Sequence, residues 1–128
     1  MSDPKRHARS GSPYEARYGF SRAVRVGSVV HVAGTAPIWP SGQVDPDPEA
    51  QADRCFTIAL HALAELGGGA EDVVRTRMYI TDAAFADAVG RSHARNVGVA
   101  APAATMVIVA GLLDHRWKVE IEVEALLA

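Results

Sequence analysis

Lys118-Val-Glu-Ile-Glu-Val-Glu-Ala125 alternates strictly, with Val119, Ile121, Val123 and Ala125 on one parity and Glu120, Glu122 and Glu124 on the other. A side-chain period of two is that of a β-strand, whose successive side chains point to opposite faces. The segment Trp117 to Leu127 therefore reads as a strand with one apolar face on a core and one carboxylate face turned away from it. A sheet with one dry face needs other elements to cover it, so the helical signals upstream decide the architecture.

The clearest helix carries Ala52, Cys55, Phe56, Ala59, Ala62, Leu63 and Leu66 at spacings of three and four, a single apolar stripe. Asp45-Pro-Asp-Pro leads into it, Glu49 favours its first turn and Gly67-Gly-Gly69 stops it. A second helix runs from Ala84 to Asn96, with Asp82 as its cap and Phe85, Val89 and His93 on one side. Strands are read at residues 20–33, a hairpin turning at Gly27-Ser28, at Val73 to Ile80 and at Thr105 to Ala110. The order β-β-α-β-α-β-β with two one-sided helices gives an α+β two-layer sandwich, a single domain over residues 18–128. Residues 1–17, rich in Ser, Pro, Gly and charge, read as a flexible N-terminal segment. The sheet face away from the helices would hold Arg75, Arg77 and Tyr79 beside the glutamates, and oligomerisation is the usual way to cover such a face.

Composition narrows the function classes. The chain has 128 residues, 48% hydrophobic and 22% charged, as in one globular domain. No apolar run approaches the ~20 residues that cross a bilayer, and Met-Ser-Asp-Pro-Lys-Arg-His lacks the apolar core of a signal peptide. A cytoplasmic protein without a membrane partner is expected. Cys55, the one cysteine, reads as helix core and excludes an internal disulfide. A net charge of -2 and 6% aromatic residues give no basic, stacking surface, so nucleic acid is not expected as a partner. The five histidines lack ligand spacing, and no glycine loop opens a helix; neither a metal nor another cofactor is expected. His93, Trp39 and Trp117 read as packing residues. Pattern by itself makes the glutamate row a solvated face or a set of cross-strand ion pairs with Arg75 and Arg77; the other reading is that one glutamate handles a water molecule.

The combination of Val32-Ala-Gly-Thr-Ala-Pro37, Asp72-Val-Val-Arg-Thr-Arg-Met-Tyr-Ile-Thr-Asp82, Pro102-Ala103 before a strand, and Val119-Glu-Ile-Glu-Val-Glu-Ala125 resembles the YjgF or Rid (reactive intermediate deaminase) family. That family is also catalogued as endoribonuclease L-PSP-like. The resemblance implies a chorismate-mutase-like fold of the bacillus type and a homotrimer with a ligand cleft between neighbouring subunits. Members with the full motif set hydrolyse enamines and imines to ketoacids and ammonia without a metal. It singles out Glu120 as the residue that orients the attacking water, and the Gly34 backbone as part of the cleft. Three contacts depart from the pattern: Phe20 stands for a tyrosine, Ala33 for a serine, and Ala104, followed by Thr105, for the arginine that grips a substrate carboxylate. The chain thus resembles an Arg-less member of that family. The expected function is water addition to a small reactive imine or enamine, with Phe20, Gly34, Ala104 and Thr105 around the ligand and Arg77 or the Ser21-Arg22 end of the first strand as the replacement anchor. The alternatives are a non-catalytic small-molecule binder using the same cleft and, least favoured, an endoribonuclease.

Overall fold

The computed structural model describes residues 4–128; residues 1–3, part of the segment read as flexible, lie outside the described residues. The strands are β1 (Arg6–Ala8), β2 (Ala23–Val26), β3 (Val29–Thr35), β4 (Val73–Ile80), β5 (Ala103–Ile108) and β6 (Val119–Leu126). The α-helices are α1 (Pro13–Tyr18), α2 (Pro48–Glu65) and α3 (Ala86–Val97). From residue 20 onward the order is the expected β-β-α-β-α-β-β.

All six strands form one sheet in the order β1-β2-β3-β6-β4-β5. The last strand to be made is thus placed inside the sheet, antiparallel to β3 on one edge and to β4 on the other. β3 and β4 consequently run the same way, and α2 makes the long crossover that parallel strands require. α3 does the same between β4 and its parallel neighbour β5. The alternation in β6 sorts as its sequence dictates: Val119, Ile121 and Val123 are fully buried while Glu120, Glu122 and Glu124 are half-exposed on the opposite face. The buried parity meets Phe56 and Leu63 of α2, Val89 and Val97 of α3, and Val30, Met78 and Ile80 of the flanking strands in one core. Each such side chain contributes about 1.5–3 kcal/mol by leaving water. Among the described residues no helix covers the opposite sheet face, and Val26, Val29, Val107 and Leu126 are exposed there.

Two expectations need correction. From Arg6 onward the segment read as flexible is structured: β1 adds an edge strand, with Ala8 opposite Ala23, and Ala8 is buried. Ser12 then caps α1 by accepting from the Tyr14 N–H at 3.3 Å, Pro13 opens the helix and Gly19, at φ 77°, closes it. Glu15 is buried and takes both the backbone N–H and the hydroxyl of Ser10. Polar composition concealed these elements, because an edge strand of three residues has no period to read. The second correction is that β5 begins at Ala103 and ends at Ile108, being set by its pairing along β4 from Arg75 to Ile80.

A side chain the sequence does not single out ties the loops to this frame. Gln51 of α2 is fully buried; its amide nitrogen donates to the carbonyls of Asp45 (2.8 Å) and Arg116 (3.0 Å), and its oxygen accepts from the Lys118 N–H at 2.8 Å. It clips the approach to α2 onto the approach to β6. Gln51→Leu keeps the volume but strands two carbonyls and an N–H, and is expected to cost about 1–3 kcal/mol, read in urea as a lower midpoint with an unchanged slope.

Candidate functional site

The three glutamates of β6 differ in their partners. On the neighbouring strand Tyr79 lies opposite Glu120, Arg77 opposite Glu122 and Arg75 opposite Glu124. Yet each long side chain leans one step along. Tyr79 donates its hydroxyl to Glu122, Arg77 donates to Glu124 at 3.0 Å, and Arg75 turns outward to the Thr105 hydroxyl of β5 at 2.9 Å. His31 of β3 approaches Glu124 at 3.7 Å. The row is displaced by one position, so Glu120 is left without a hydrogen-bond donor among the described residues. The ion-pair reading therefore holds for Arg77 and fails for Arg75.

Glu120 also has a different neighbour on its other edge. The pairing of β3 with β6 slips between Val32 and Thr35, and this irregularity brings Gly34 against the Glu120 side chain. A Cβ on Gly34 would lie 2.8 Å from Glu120 Oε2, so only glycine leaves the carboxylate where it stands. Beyond it opens a cleft of about 580 Å³ walled by Phe20, Arg22, Gly34, Trp39, Trp117 and Glu120. Its size is within the ~300–1,000 Å³ usual for small-molecule sites. Burial pushes the Glu120 carboxyl above the usual carboxylate range; the Arg22 guanidinium pulls it down and Glu122 pushes it up. Arg22 reaches the Gly34 carbonyl at 2.5 Å and lies 6.0 Å over the Phe20 ring. A carboxylate with a free lone pair, a raised pKa and open cleft beside it is equipped to take a proton from water.

The structure brings together Glu120, Phe20 and Gly34 of the residues expected at a site. It does not bring Arg77, Ala104 or Thr105 to them within the chain. Arg77 is held on the open sheet face by Glu124 and Glu122, Ala104 is exposed on the edge strand, and Thr105 accepts from Arg75. Trp39 and Trp117, read as packing anchors, are half-buried walls of the cleft. Other candidate groups are structural. His93 shares a hydrogen bond of 2.8 Å with Thr76, meets Phe56 edge-on, and burial lowers its pKa. Burial pushes the Cys55 thiol up, away from reactivity. Among the described residues no three His, Cys, Asp or Glu side chains gather as metal ligands do, and no helix is long and apolar enough to cross a membrane.

Residues 11–127 match the family described as Endoribonuclease L-PSP. A protein of Streptomyces coelicolor described as uncharacterized is 40% identical over 97% of this chain and 93% of its own length. The crystal structure of a member of the YjgF/YER057c/UK114 family from Mycobacterium tuberculosis superposes with a TM-score of 0.89 at 37% identity, covering 97% of this chain and 100% of that one. A Rid-family protein of Yersinia pestis, described as of unknown function, gives 0.84 at 25% identity over 97% and 100%. The chain belongs to the YjgF/Rid family. Its α+β sandwich is accordingly the chorismate-mutase-like fold of that family.

Within this Rid-family chain some cleft residues escaped the sequence. Ser12, Tyr14 and Tyr18 reach the cleft from α1, and Asp114 and Arg116 from the loop before β6. The Ser12-Pro13 pair followed by Glu15 was the available sign of α1, a cap, a first-turn proline and an acidic first turn. Nothing in the sequence announced Asp114 and Arg116, which pair with each other at 2.8 Å within one loop.

Gly34→Ala is expected to leave stability within about 1 kcal/mol of wild type, because the stiffer unfolded chain offsets the crowding, yet to displace the Glu120 carboxylate in a crystal structure. A second expectation concerns pH. Glu120 has its folded-state pKa above that of the unfolded chain, so its contribution to stability is full below the unfolded carboxylate value of ~4.3 and is lost as pH rises through the folded value. Glu120→Gln should therefore match wild type at acid pH and unfold at a higher urea concentration at neutral pH; the opposite ordering would show that Arg22 outweighs burial.

Proposed function

We propose that this protein hydrolyses a small imine or enamine by adding water to its C=N bond in the cleft that holds Glu120. One observation carries the reading: Glu120 is the glutamate of β6 that lacks a donor among the described residues, and it is the one that faces the cleft. Membership of the YjgF/Rid family supports it.

In the proposed step the Glu120 carboxylate accepts a proton from water as the water oxygen bonds to the imine carbon. The C=N π pair moves to nitrogen, which takes up a proton. The carbinolamine so formed then breaks its C–N bond, the hydroxyl yields its proton, and a carbonyl compound and ammonia leave. An enamine enters the same path after protonation at carbon. The raised pKa of Glu120 moves it towards the working pH, which is what a base of this kind requires. Phe20 and Gly34 form the wall against which the substrate lies. In the same reading two further copies cover the open sheet face in a homotrimer, which would bury Val26, Val29, Val107 and Leu126 and place Ala104 and Thr105 near a neighbour's cleft. A cytoplasmic setting belongs to this reading, Cys55 being buried and unpaired.

Ala104 favours a second reading, a binding protein that uses the cleft without turnover, since the arginine of the deaminase pattern is missing. Ribonuclease action has less support, as among the described residues no histidine lines this cleft.

A panel of imines generated in place, assayed by ammonia release, separates these readings. Glu120→Gln is expected to lower turnover by about 100-fold or more while light scattering gives the same trimer mass as wild type. Undiminished turnover in that variant removes Glu120 from the chemistry, and a monomer mass removes the shared cleft. Binding with no turnover across the panel selects the second reading.

A further inference from the structure

We propose that Arg22 is the anion anchor of the cleft, holding the carboxylate of a small ligand whose uncharged end points to Glu120. The inference deepens the proposed function by naming the ligand class, and its binding part stands even if no turnover occurs.

Arg22 is fixed at its root. Its N–H donates to the Ala8 carbonyl and its carbonyl accepts from the Ala33 N–H, both at 2.9 Å, so the backbone is clamped between β1 and β3 at the entry to β2. The side chain then runs into the cleft, where it is half-buried and lines two adjoining cavities of about 580 and 820 Å³. A guanidinium has five N–H donors. Of these, one Nη2 hydrogen goes to the Gly34 carbonyl, and Nε is shut off from solvent with no acceptor among the described residues. Glu15 and Glu120 act on the charge through space, but neither is within ion-pair distance of it among the described residues.

The other cation of this cleft behaves differently. Arg116 is satisfied by Asp114, at 2.8 and 3.1 Å, and by the Gly42 carbonyl at 3.2 Å. Arg77, the alternative anchor, is neutralised on the open face by Glu124. Arg22 is thus the cleft guanidinium whose charge has no carboxylate in contact. A cation removed from water without a partner is costly, and burial indeed pulls its pKa down. A ligand carboxylate relieves that cost with two parallel charge-assisted hydrogen bonds, which the planar fork is shaped to make. Phe20, under the guanidinium, supplies an apolar floor for the carbon chain. Glu120 repels a second negative charge, which sets the polarity: carboxylate at Arg22, neutral reacting carbon at Glu120. The structure thereby assigns to Arg22 the task that Ala104 cannot perform.

Isothermal titration with sodium propionate and with propionamide, at matched ionic strength, tests this on the full chain. Wild type is expected to bind propionate in the millimolar range and the neutral amide at least about 10-fold more weakly, since a hydrogen bond to a charged group is worth ~1.5–3 kcal/mol. Arg22→Gln should lose propionate binding by about 10-fold or more, with Arg22→Lys in between because it keeps the charge and loses the fork. Glu120→Gln should bind propionate at least as tightly as wild type, which separates anchoring from catalysis. Equal affinity for propionate and propionamide, no propionate binding by wild type up to about 100 mM, or unchanged affinity in a folded Arg22→Gln or Arg22→Lys protein each overturns the proposal. Should Arg22→Gln fail to fold, the amide comparison and Arg22→Lys decide. A wild type that binds propionate through Arg22 but turns over no imine rejects the hydrolase reading and leaves the anchor standing.

Discussion

The antiparallel pairing of β6 on both its edges is the interaction on which the rest depends. A strand hydrogen-bonded to β3 and β4 at once cannot slip by one residue, because a slip would put Glu120, Glu122 and Glu124 into the core and Val119, Ile121 and Val123 into water. Its register therefore fixes the face of every carboxylate. It also sets the path of the chain, since β3 and β4 must leave a slot between them and α2 has to bridge it. Gln51 pins the loop ahead of β6 to α2.

From that register the functional asymmetry follows by simple geometry. Tyr79 and Arg77 on β4 lean along the strand, so each serves the glutamate beyond the one opposite, while Arg75 turns away to Thr105 on β5. A displaced ladder of this kind satisfies two carboxylates and leaves one at the end. The β3 irregularity falls beside the same residue and removes a side chain at Gly34, which opens space where the unsatisfied carboxylate is. Glu120 is then held by competing effects: withdrawal from water raises its pKa, and Arg22 across the cleft limits the rise. These effects coincide at one residue, on the wall of a cleft.

Most of the fold from residue 20 onward was legible, because the helix stripe of α2 and the period of β6 are imposed by burial and burial leaves a periodic mark. Where burial is local, the mark vanishes. β1 has three residues and α1 six, and both are held by contacts to residues far along the chain or by a single cap, so a polar composition was misread as lack of order. The site was legible only in part for a related reason. The period of two treats Glu120, Glu122 and Glu124 alike, and resemblance to the family was needed to single out Glu120. The lean of the β4 side chains and the missing Cβ at Gly34 are properties of packed strands, which no one-dimensional pattern contains. Arg77 reads from sequence equally as an ion-pair partner or as an anchor, and only the diagonal placement of Glu124 beside it decides for the ion pair.

Substitution at Ala104 changes what kind of anchoring the fold can offer. A side chain there would sit on β5, an edge strand joined to the sheet through β4 alone and exposed except at Met106. Edge strands fray more readily than paired ones, so a grip built on β5 loses affinity whenever that edge moves. Arg22 leaves the backbone between two paired strands, and its head group rests on the Gly34 carbonyl and the Phe20 ring. Less conformational freedom remains to be lost when a ligand arrives, so the same two hydrogen bonds return more net affinity. The position of Arg22 relative to Glu120 is set by the β2-β3-β6 pairing together with its irregularity at Gly34, so under the proposed reading a ligand held at one end would meet the carboxylate at a distance determined by the strands. In this way the constraint that seats β6 inside the sheet also measures the site.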